Sequence, residues 1–68
     1  MNKYNNEQVS EHYKGMVWIT KGNGLSNICI AGAREFFVIG CIPTKEITEE
    51  KIIGILEANG YTAEMLNQ

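Results

Sequence analysis

Met16-Val-Trp-Ile-Thr-Lys21, then Gly22-Asn23-Gly24, then Leu25-Ser-Asn-Ile-Cys-Ile-Ala31 is the stretch on which the fold turns. The first run is β-branched and aromatic, the second is a turn signal, and the third is again β-like, which predicts a hairpin. Gly32 and Ala33 break the pattern. Glu35-Phe-Phe-Val-Ile-Gly-Cys-Ile42 then reads as a third strand ended by Pro43, whose nitrogen has no hydrogen to give to a ladder. Residues 15–42 are therefore expected to form a three-stranded antiparallel meander.

Beyond the meander the ends of a helix are written into the sequence. Thr48 is a fitting N-cap, Glu49 and Glu50 occupy the first turn where the helix dipole favours them, and Ile47 and Ile52 are placed as a hydrophobic staple. Asn59-Gly60 is the stop, with Tyr61 beyond it to close a Schellman ending on Leu56. These signals predict a helix over 49–59. Thr62 to Leu66 fits a further turn or a short edge strand. Before the meander, residues 1–14 read as flexible or as a short helix from Asn5 to Lys14: Asn5 or Asn6 can cap it, Glu7 lies in the first turn, Val9 and Tyr13 share a face, and Gly15 follows. The expected fold is a single α+β domain, a three-stranded antiparallel meander packed against one C-terminal helix, in the order α-β-β-β-α.

Taking Asn23-Gly24 and Gly32-Ala33 as two-residue loops fixes a register, because opposed residues share a face and alternate along each strand. One face collects Val17, Ile19, Ile28, Ile30, Phe37 and Ile39, to be covered by Ile52, Ile55 and Leu56 of the helix. The other collects Met16, Trp18, Cys29, Phe36 and Val38, rimmed by Thr20, Asn27 and Arg34. The helix is already used, so this second face lacks an evident cover. Three covers compete: the N-terminal segment through Tyr4, Val9 and Tyr13, a second copy in a homodimer, or a foreign partner. On the helix, Glu50 and Glu57 share the face opposite the core, beside Gly54 and Ala58. A mid-helix glycine costs about 1 kcal/mol against alanine, so Gly54 marks either the close approach of another backbone or plain tolerance.

Composition narrows the functions open to such a fold. In 68 residues there is room for one small domain, and 44% hydrophobic against 21% charged residues is the balance of a folding chain. No apolar run is long enough to span a bilayer and no leader pattern opens the chain, so a cytoplasmic, uncleaved protein is expected. Six Lys plus Arg against eight acids gives a net charge of -2, and every acid is Glu. That balance disfavours duplex nucleic acid, whose binding needs clustered cations. Cys29 and Cys41 form no CxxC pair and the register sets them on opposite faces, so neither a disulfide scaffold nor a metal site is expected. His12 stands beside Glu11 with no Asp to orient it, and Gly22-Asn-Gly24 leads into a strand where a phosphate cradle would open a helix. No enzyme and no cofactor is expected.

A helix, three strands and a helix resembles the topology of double-stranded RNA-binding domains, which present a Lys-rich start of the last helix to phosphates. Here that stretch is Lys45-Glu46-Ile47-Thr48-Glu49-Glu50-Lys51, so the RNA function does not carry over. Thr48 to Glu64 is similar to the second helix and last strand of ferredoxin-like heavy-metal-associated domains, whose MxCxxC loop has no counterpart in this sequence.

The expectation is a non-enzymatic protein-binding inhibitor or regulator, of the kind found among phage and mobile-element proteins such as anti-CRISPR proteins. Its partner would be a host protein, such as a nucleic-acid-binding complex. The residues expected to make the contact are Met16, Trp18, Arg34 and Phe36 on the sheet, and Glu46, Glu49, Glu50, Gly54 and Glu57 at the helix. Glutamates facing Lys and Arg would speed association. The alternatives are a nucleic-acid-binding module with Trp18 and Phe36 as a stacking platform bordered by Lys14, Lys21 and Arg34, and a self-associating structural or metal-carrying domain.

Overall fold

The computed structural model describes residues 9–67 of the chain. Four strands, β1 (Val9–Lys14), β2 (Val17–Lys21), β3 (Leu25–Ala31) and β4 (Phe36–Pro43), form one antiparallel sheet in the order β1-β2-β3-β4. A short 3-10 turn (Thr44–Glu46), the helix α1 (Glu49–Ala58) and a second 3-10 turn (Ala63–Leu66) follow the sheet among the described residues.

The meander thus has four strands, not three, and the expected N-terminal helix is a strand over 9–14; its proposed Asn5 or Asn6 cap lies outside the described residues. Val9 and Tyr13 stand four apart, a spacing that suits the strand period of 2 as well as the helix period of 3.6. Gly15 is the other ambiguous signal. Its φ of +54° serves the tight turn from Lys14 to Val17, where a helix stop would have used the same freedom.

The first predicted hairpin has the expected register, with Val17 opposite Ile30, Ile19 opposite Ile28 and Lys21 opposite Ser26. The second differs. Its loop runs over 32–35, so Phe36 pairs with Ala31, Phe37 with Ile30 and Val38 with Cys29. A β-bulge at Ile39 then shifts the pairing, placing Gly40 opposite Ile28 and Cys41 opposite Asn27. Asn27 and Cys29 alternate onto one face, so Cys41 shares a sheet face with Cys29 and the expected opposition of the two thiols is corrected.

The core lies between one sheet face and α1. Val17, Ile19, Ile28, Ile30 and Ile42 from the sheet meet Ile52 and Leu56 from the helix, and Leu66 of the last turn joins them. Gly40 makes the close packing possible: a Cβ there would stand 2.7 Å from Ile55 Cγ2. The one buried polar side chain among the described residues, Ser26, shares a 2.8 Å hydrogen bond with the Thr44 hydroxyl.

The helix ends as its sequence predicts. Thr48 Oγ1 accepts from the Lys51 amide at 3.2 Å, while Gly60, at φ +88°, lets its own amide reach Glu57 O and the Tyr61 amide reach Leu56 O at 2.9 Å. The stretch 62–66 forms a 3-10 turn capped by Thr62, and Met65 O accepts the Met16 amide at 2.9 Å. Neither resemblance survives at the level of topology. The first element among the described residues is a strand, over 9–14 where the helix was expected, and the segment after α1 is a 3-10 turn where the heavy-metal-associated domains have a strand. No helix among the described residues is long and apolar enough to cross a membrane.

Candidate functional site: the open sheet face

Because α1 occupies one side of the sheet, alternation sends Ser10, His12, Trp18, Thr20, Asn27, Cys29, Phe36, Val38 and Cys41 to the other. Three rings line up across it. His12 and Trp18 are cross-strand partners with centroids 5.2 Å apart, and Trp18 and Phe36 lie 5.0 Å apart at 36°. Both separations fall in the range of favourable aromatic contact. His12 Nε2 donates to the Gly15 carbonyl at 2.9 Å, which fixes the imidazole beside the indole.

These neighbours give the face some cover of its own. Trp18 is half-buried between the two rings, and Cys29, with Trp18 and Val38 as cross-strand partners and Thr20 Oγ1 3.6 Å from its sulfur, is only 1% exposed. Phe36 and Val38 remain open, at 44% and 61%. Tyr13 packs against the core on the far side, so it does not cover this face, and Tyr4 lies outside the described residues. A polar strip continues the apolar one: Ser10 and Thr20 share a hydrogen bond of 2.9 Å, with Asn27 and Cys41 next in the row.

Of the residues expected to contact a partner, Trp18 and Phe36 come together here, Met16 stands in the β1–β2 turn with its carbonyl accepting the Ala31 amide, and exposed Arg34 lies in the loop before Phe36. Glu46, Glu49, Glu50, Gly54 and Glu57 belong to the helix side, with the thickness of the sheet between the two groups. Two of those glutamates are already engaged, Glu49 by Lys14 at 2.7 Å and Glu46 by Lys51 at 3.3 Å. The Lys14 ammonium, by hydrogen bond and charge, holds the Glu49 carboxyl below the usual carboxylate range and is itself raised. Glu50 and Glu57 are exposed without an ion pair among the described residues. Around Gly54 a Cβ would meet nothing, so no close approach within the chain requires glycine there.

The pairing also bears on the cationic border that a nucleic-acid platform needs. Lys14 is held by Glu49, Lys21 lies 3.5 Å from Glu11, and Arg34 alone of the three cations makes no ion pair among the described residues. His12 was missed as a member of the site because residues 9–14 read as a helix; read as a strand, the alternation Ser10, His12 against Glu11, Tyr13 shows it.

No protein family model, curated protein or solved structure matches this chain.

Proposed function

We propose that this protein is a non-catalytic binding module that regulates or inhibits a partner protein, docking it on the open sheet face around Trp18 and Phe36. The observation that carries this reading is the stacked, partly exposed row His12, Trp18, Phe36 with Val38 at its edge. Aromatic side chains at the centre of a patch and polar groups at its rim are the composition of protein-binding surfaces. The ion-paired state of Lys14 and Lys21 favours a protein over a nucleic acid, since neutralised cations offer phosphates little. Glu50 and Glu57, on the far side, would engage a second surface or serve solubility. The finer identity, an inhibitor from a phage or other mobile element acting on a host protein, rests on small size and acidity.

The test is capture of the partner from the cognate cell, then affinity measurement with Trp18→Ala and, separately, Glu50→Gln with Glu57→Gln. Trp18→Ala should cost about 2 kcal/mol or more, the loss typical of a central aromatic anchor, and the glutamate pair should cost far less. Undiminished binding by Trp18→Ala sinks the proposal. Tight binding of a single-stranded oligonucleotide that Trp18→Ala abolishes would transfer the face to the stacking-platform reading.

A further inference from the structure

Asn-Gly occurs twice in this chain, at 23–24 and at 59–60, and both pairs are exposed. Asparagine followed by glycine is open to attack by the glycine amide nitrogen on the asparagine side-chain carbonyl carbon, because the glycine carries no Cβ to obstruct the approach. What holds the two nitrogens decides whether the attack occurs. At 59–60 both are held: Asn59 Nδ2 donates to Ile39 O at 3.0 Å and to Ile55 O at 2.8 Å, which uses both protons of the side-chain amide, and the Gly60 amide donates to Glu57 O at 3.2 Å. At 23–24 neither is held. The turn there is closed by the Gly22 amide on Leu25 O at 2.8 Å, while the Asn23 side chain and the Gly24 amide make no hydrogen bond among the described residues, and a Cβ on Gly24 would meet nothing.

We propose that Asn23 is a site of spontaneous deamidation in the folded protein and that Asn59, with the same following residue, is protected. The Gly24 nitrogen bonds to Asn23 Cγ, the Cγ–Nδ2 bond breaks, and the side-chain nitrogen departs as ammonia with the proton that Gly24 gives up. Water then opens the resulting cyclic imide at either carbonyl, giving aspartate at position 23 or isoaspartate, in which the main chain runs through the former side chain. The reaction consumes water alone, and either product adds one negative charge to the net charge of -2. Closure at Asn59 would break its two side-chain bonds and the Gly60 bond together and undo the helix stop, which turns on Gly60 at φ +88°.

Isoaspartate lengthens the main chain by one carbon inside the turn of the β2–β3 hairpin. Gly24 O accepts the Thr44 amide at 3.0 Å, and the Thr44 hydroxyl shares its hydrogen bond with buried Ser26, so the added carbon bears on the joint between the hairpin and the first 3-10 turn. The site lies at the opposite end of the hairpin from Ala31 and its partner Phe36, so this inference stands apart from the proposed function.

The sequence holds no Asp, so every aspartate found after ageing is a product. The full chain is kept for days in mildly alkaline buffer and then digested with trypsin, which puts the two pairs in separate fragments, 22–34 and 52–68. The expected result is a mass gain of about one dalton in 22–34, placed at Asn23 by fragment spectra. It should run about tenfold or more faster than the gain at Asn59, where hydrogen bonds must first be given up. In urea, where those bonds are gone, the two rates should converge. Asn23→Ser should abolish the gain in 22–34. Equal rates in the folded chain, faster change at Asn59, an unchanged Asn23, or a preference that persists in urea would each overturn the inference.

Discussion

Gly54 and Gly60 belong to one helix and its stop, yet the backbone asks opposite things of them. At Gly60 φ is +88°, a region where a Cβ is strained, and the two carbonyls that Gly60 and Tyr61 satisfy depend on that conformation. Gly54 is helical with open space where a Cβ would be. Gly60→Ala should therefore destabilise the fold by about 1 kcal/mol or more, and Gly54→Ala should stabilise it by about 0.5–1 kcal/mol. Urea midpoints would show the two shifts with opposite sign. A destabilising Gly54→Ala would mean that another part of this chain approaches the helix at Gly54 more closely than the open space there indicates.

At the level of elements, how far the sequence could be read depended on whether two signals agreed. β2, β3 and α1 were legible because their patterns came with matching ends: a Gly-Asn-Gly turn for the hairpin, and Thr48 and Gly60 for the helix. β1 was not, since a spacing of four and a following glycine fit both a helix and a hairpin. In β4 the loop proved two residues longer than Gly32-Ala33, but a shift of two preserves alternation, so Phe36, Phe37 and Val38 still fell on their expected faces. Only past the bulge did the expectation fail, at Cys41; a bulge leaves no mark in composition. Reading β1 as a helix also concealed the tie between it and α1. Lys14 Nζ and Tyr13 Oη, 2.7 and 3.4 Å from Glu49 Oε1, fasten the edge strand to the first turn of the helix. The Glu49 carboxyl is held below its ordinary value by Lys14, so the pair's stabilisation is present above about pH 4.3, the unfolded range, and is lost as pH falls through the lower folded value. Lys14 is raised, so its share is lost only as pH climbs past about 10.4 and then through the higher folded value. Glu49→Gln should flatten the acid limb of the stability curve between about pH 5 and 3, read by urea denaturation at a series of pH values; an unchanged limb would mean that the exposed pair contributes nothing measurable.

Among the described residues the molecule is a sheet with one substantial lid, and the last turn completes that lid. Leu66 is buried in the core cluster with Ile52 and Leu56, and one residue earlier Met65 O accepts the Met16 amide, which joins the C-terminal turn to the start of β2. A chain of 68 residues can expect a total stability of only about 3–10 kcal/mol, and truncating a buried leucine costs about 2–5 kcal/mol. Leu66→Ala should thus remove a large fraction of the stability while leaving the open face untouched. In hydrogen exchange the Met16 amide should lose protection in the variant along with the β2 and β3 amides, because the turn that holds it packs through the same side chain. If Met16 alone exchanged faster while the strands kept their protection, the turn would be a peripheral clasp and α1 by itself would account for the core. The same variant separates the open face from the fold: a partner that binds the Trp18 face should still bind Leu66→Ala at temperatures where it remains folded, with affinity falling only as the folded fraction falls.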